Sequence, residues 1–84
     1  MERIETTILK NLIFNEEYFR KVLPFIKGEY FESVHEKVTF EEISKFIIEY
    51  DNLPSKEAII IEAEKRNDIS DEGFKDITTL VTEL

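Results

Sequence analysis

His35 is the chain's single histidine, and its neighbours give it two spacings that could do chemistry. Glu32 lies three residues before it, the Glu-x-x-His spacing of carboxylate-bridged di-metal bundles, but such a site needs that motif twice with two further glutamates. His35-Glu36 also opens like a zinc-protease helix, without the second histidine that would complete the ligand set. As the base of a nucleophilic triad, His35 would serve Ser33 or Ser44. No strand-to-helix elbow or glycine-shaped oxyanion site surrounds either serine, and Ser33 suits a helix cap better. His35 therefore reads as a packed histidine at a helix start, donating to a nearby carbonyl. The acidic pairs Glu16-Glu17, Glu41-Glu42 and Asp71-Glu72 diverge on a helix and read as solvated faces or first-turn charges. A phosphate cradle needs glycines five residues apart followed by Lys and Ser or Thr. The chain's two glycines, Gly28 and Gly73, are far apart, each at a helix boundary. These residues imply no catalytic group, no cofactor site and no metal site.

The elements that would position them are helical throughout. At about 100° per residue, Ile4, Ile8, Leu9, Leu12 and Ile13 share one face over Glu2 to Phe14. Asn15 offers an N-cap with Glu16 and Glu17 behind it, and Tyr18, Phe19, Val22, Leu23 and Ile26 share a face of the second helix. Pro24 should kink that helix, or break it and open a short new turn. Gly28 reads as a left-handed C-cap. Tyr30 and Phe31 read as plugs into the core. Ser33 and Glu36 have capping-box spacing, so a third helix should start near Val34. Val34, Val38, Phe40, Ile43, Phe46, Ile47 and Tyr50 spread over roughly 240° of it, an arc that makes it the central helix. Asp51, Asn52 and Pro54 end it. Ser55 caps a fourth helix that closes at Asn67-Asp68. Ser70 caps the fifth, with Ile69 stapled to Phe74, and Phe74, Ile77, Leu80, Val81 and Leu84 carry its stripe to the last residue without a C-cap.

The 84 residues fit one domain, and a domain of this size buries only about 60% of its unfolded surface. Seven Phe and three Tyr supply the dense core this demands. Recurring at helical spacing among aliphatics, they read as core rather than as a base-stacking platform. With no Cys, a disulfide framework and a thiolate metal site are excluded, in keeping with a reducing cytoplasm. The start, MERIETTILKNLIF, is not a signal peptide. The longest apolar run, Ala58–Ile61, has four residues, far below the ~20 that span a bilayer.

The formal net charge is −8, and both halves are acidic: six basic and nine acidic residues through Glu42, five and ten after it. Nucleic-acid backbones are held by clustered Lys and Arg. The only basic pairs, Arg20-Lys21 and Lys65-Arg66, sit among carboxylates, so direct nucleic-acid binding is not expected. A basic protein partner fits better, or the charge serves solubility.

The run Ile8–Ile13, then Tyr18-Phe19, Val22, Tyr30-Phe31, His35, Phe40, Ile43 and Leu53-Pro54 resembles the amino-terminal domain of DnaB-family replicative hexameric helicases. The stretches Glu29-Tyr-Phe-Glu-Ser33 and Tyr50-Asp-Asn-Leu-Pro-Ser55 resemble those of T-even-type phages more than the bacterial ones. Glu5, Leu9, Leu12-Ile13, Phe31, His35 and Phe40 take the places of the family pattern, and the order of Phe31, His35, Phe40 and Pro54 marks it. The resemblance covers roughly Glu5 to Asn67. Lys10-Asn11 and Leu53-Pro54-Ser55 depart from the bacterial pattern, so bacterial partner contacts do not carry over.

The resemblance implies a compact all-α orthogonal bundle of about five helices, the globular head of a collar over a motor ring. The head would be one domain over residues 1–84, part of a longer helicase whose ATPase motor lies further along. It implies primase, helicase loader and neighbouring helicase subunits as partners, no membrane, and a place in the cytoplasm of an infected bacterial cell. The isolated piece is expected to be a monomer or weak dimer. Phe14, Ile48 and Ile60, apolar residues outside the stripes, are the candidate partner interface. The bland alternative is that Phe14 closes the first corner of the core and isolated exposed aliphatics are ordinary. A second functional reading is a stand-alone acidic adaptor or DNA mimic that blocks a basic protein.

Overall fold

A computed structural model describes residues 3–84. The chain runs through α1 (Ile4–Phe14), α2 (Glu16–Val22), α3 (Val34–Tyr50), α4 (Lys56–Glu64) and α5 (Asp71–Glu83), with no strand among the described residues. The expected all-α bundle of about five helices is what is found. The expected helix start at Glu2 lies outside the described residues. A radius of gyration of 11.8 Å matches the about 12 Å of a compact domain this long.

Helix starts follow local chemistry. Asn15 Oδ1 accepts from the Tyr18 N–H at 3.0 Å, Ser55 Oγ from Ala58 at 3.1 Å and Ser70 Oγ from Gly73 at 3.0 Å. Each satisfies a backbone donor that has no partner within the helix. Ser33 is different: it occupies the N-cap of α3 without a side-chain bond, so the expected capping box does not form. Glu36 is instead buried toward Arg3, whose Nη2 lies 3.2 Å from Glu36 Oε1 outside hydrogen-bond alignment. A charge at the N-cap of α1 lies beside the residue that would have closed the box.

Pro24 breaks α2, as expected, into a 3-10 turn at Leu23–Phe25. Gly28 corrects the sequence reading. It has no positive φ and opens a second 3-10 turn, Gly28–Tyr30. The left-handed residue is Asp51, at φ 51° and ψ 42°, whose N–H closes α3 on Ile47 O at 2.7 Å. α4 ends at Glu64, earlier than Asn67-Asp68, because the Arg66 N–H turns back to Ala63 O.

α3 packs against α1, α4 and α5 and is the central helix. It buries Glu36, Val38, Thr39, Phe40, Glu42, Ile43 and Ile47, an arc of about 200°. Val34 and Tyr50, expected within that face, are exposed. Around it gather Leu9, Leu12, Ile13, Phe19, Ile59, Ala63, Ile77, Val81 and Leu84. Phe31 fills the core as expected, but Tyr30 points outward, and so does Ile4 at the start of α1. The Phe31 and Phe40 rings stack with centroids 5.1 Å apart.

Candidate functional site

The marker residues hold the fold. Phe31, Phe40 and Pro54 are buried, and the stacked rings pin the connector before α3 onto α3 itself. His35 is half-exposed on the first turn of α3 and faces a carboxylate rather than a carbonyl: Nε2 lies 3.3 Å from Asp76 Oδ2 on α5. Its own carbonyl accepts from Thr39 Oγ1 at 2.7 Å. No group of three or more His, Cys, Asp or Glu among the described residues is arranged to hold a metal ion, and no helix of the described residues is long and apolar enough to cross a membrane.

The three candidate interface residues differ in exposure. Phe14 is exposed, with the Lys56 ammonium 5.5 Å from its ring centroid, so it does not close a corner of the core. Ile48 is 76% exposed on α3. Ile60 corrects the expectation, since it is half-buried and packs on the core, while Ile61 is the outward isoleucine at 52%. The helical wheel explains the difference. Ile59 and Ala63, four residues apart, define the buried line of α4, and Ile61 falls about 180° from its centre. The Ile59–Ala63 spacing was the signal that could have identified it.

Sequence reasoning missed a groove between α3 and α4. Its floor is Phe46, Tyr50, Ala58 and Ile61, and it encloses about 210 Å³. On that floor the Phe46 and Tyr50 rings lie with centroids 4.6 Å apart. The rest of the lining is charged: Glu42, Glu49, Glu62 and Lys45.

Glu42 of the groove's lining also belongs to an ion cluster around Arg66. Arg66 Nη1 donates to the buried Glu42 Oε2 at 2.9 Å, and Nε and Nη2 donate to Asp68 at 2.8 and 2.6 Å. Nη2 also lies 3.1 Å from Glu41. Hydrogen bonding to Asp68 above all, then to Glu42, raises the Arg66 pKa against the opposing effect of partial burial. The same Arg66 bond holds the Asp68 carboxyl below its ordinary value. Glu62, bonded by Lys65 at 2.9 Å, is likewise lowered. Glu49 makes no ion pair among the described residues. Glu42 Oε1 is buried without a hydrogen-bond partner, and Lys45 Nζ comes no closer than 3.9 Å.

Such a surface can bind through apolar contact and charge. The chain is 36% identical over 77 residues, 92% of its length, to a DnaB-like replicative helicase of Enterobacteria phage T4. It is thus related to a DnaB-like phage helicase, and it spans 16% of that relative's length. No family model matches the chain, and no solved structure gives a significant match.

Proposed function

We propose that this chain is the non-catalytic amino-terminal head of a phage replicative DNA helicase, contributing to assembly of the hexamer's collar and to docking of primase or the helicase loader. The observation that carries the reading is the 36% identity to a replicative helicase across 92% of a chain that covers 16% of that relative. The chain's residues support the reading. His35 is engaged with Asp76, and both glycines lie within helical turns rather than in a phosphate-wrapping loop.

Competition in trans tests the proposal. Excess purified chain, added to a reconstituted helicase–primase reaction of its replication system, should reduce helicase-stimulated primer synthesis and leave the helicase's ATPase rate unchanged. Equal primer synthesis with and without the chain would count against a docking role. The acidic-adaptor reading draws on the net charge of −8. It would be favoured if the chain instead inhibited a basic nuclease or polymerase by competing with DNA.

A further inference from the structure

The α3–α4 groove joins three properties that select an occupant. Its floor is apolar and partly aromatic, with Tyr50 and Ile61 exposed to solvent. Its rim carries three carboxylates against one ammonium. Glu49 on that rim is exposed and makes no ion pair among the described residues.

Charge is distributed unevenly over the molecule. α1 and α2 are each balanced, whereas α3 and α4 carry −2 apiece and α5 carries −3. The groove lies between two of the acidic helices. A second copy of this chain would bring like charges together, Glu49 among them, over a small apolar contact. That arrangement disfavours self-association through this face.

We propose that the groove between α3 and α4 binds a cationic amphipathic helix of a partner protein. One large apolar side chain of that helix rests on Phe46, Tyr50 and Ile61, while flanking Lys or Arg residues meet the exposed carboxylate of Glu49 and the partly exposed Glu62. Grooves of this kind take helices through anchors spaced three or four residues apart. The proposal deepens the docking role above and rests on it, naming the chemistry of the partner segment.

Amide chemical-shift mapping with three synthetic helical peptides tests it. Each has about 14 residues, roughly 20 Å of helix. The first is a Leu/Lys amphipathic peptide, the second keeps the lysines with Ser for Leu, and the third keeps the leucines with Glu for Lys. The Leu/Lys peptide should bind with shifts centred on Phe46, Tyr50, Ala58 and Ile61. Ile61→Ser and Glu49→Lys, both at exposed positions, should each weaken it about tenfold, an effect of roughly 1.4 kcal/mol. Equal binding of the Ser/Lys or Leu/Glu peptide, shifts centred elsewhere, unaffected variants or no binding would overturn the proposal. No primase or loader takes part, so failure here sends docking to another face. Peptide binding without competition in the primer assay would instead overturn the replication role.

Discussion

Arg66 Nη1 donates to Glu42 Oε2 at 2.9 Å, tying the exit of α4 to the middle of α3 through a carboxylate with only 4% of its side chain exposed. Both walls of the groove depend on that tie. Removing one partner of a buried pair leaves the other charge uncompensated. Arg66→Met should therefore cost about 3 kcal/mol in urea unfolding. Adding Glu42→Gln should recover part of the loss, since the stranded charge is then gone. A single variant as stable as the parent would show that the pair contributes nothing.

The same cluster predicts a response to acid. Asp68 has a lowered pKa in the folded chain, so its stabilising effect is fully present above the unfolded carboxylate value of about 3.9 and fades as pH falls through the folded value. Asp68→Asn should lower the melting temperature at neutral pH, and the difference should shrink below about pH 4. A difference that stays constant down to pH 2 would contradict this account of the ion pair.

Packing of the connector rests on the Phe31–Phe40 stack. Phe31→Ala should cost about 3–5 kcal/mol, much of the stability available to so small a domain. Phe31→Leu should cost clearly less because it keeps most of the volume. Equal losses in chemical denaturation would mean that the ring itself, rather than its volume, does the stabilising.

Asp51 ends α3 in a left-handed conformation, which β-branched residues adopt only with strain. Asp51→Val should destabilise by roughly 2 kcal/mol. Asp51→Gly should be close to neutral: relief at the backbone offsets the loss of an exposed pair with Arg20, worth at most about 1 kcal/mol.

What the sequence made legible was local. Asn15, Ser55 and Ser70 cap within three residues of themselves, and the Pro24 break follows from proline's own geometry. What it hid depended on distant partners. Glu36 leaves Ser33 for Arg3, and Arg66 gathers Glu41, Glu42 and Asp68 from two stretches of chain. The groove between α3 and α4 is hidden from the sequence for the same reason. Phe46 and Tyr50 share a helical stripe with true core residues, and only the position of α4 leaves them as a groove wall instead. Phe25, just after Pro24, carries no sequence signal for its position and is 74% exposed.

Native mass spectrometry of the purified chain, mixed with purified primase and helicase loader of its replication system, tests the central claim most directly. At about 50 µM each, any contact stronger than roughly −6 kcal/mol registers. The docking role predicts a complex of defined stoichiometry with at least one of the two, weakened by raised salt as expected for an acidic surface meeting a basic partner. Free components in both mixtures would contradict it.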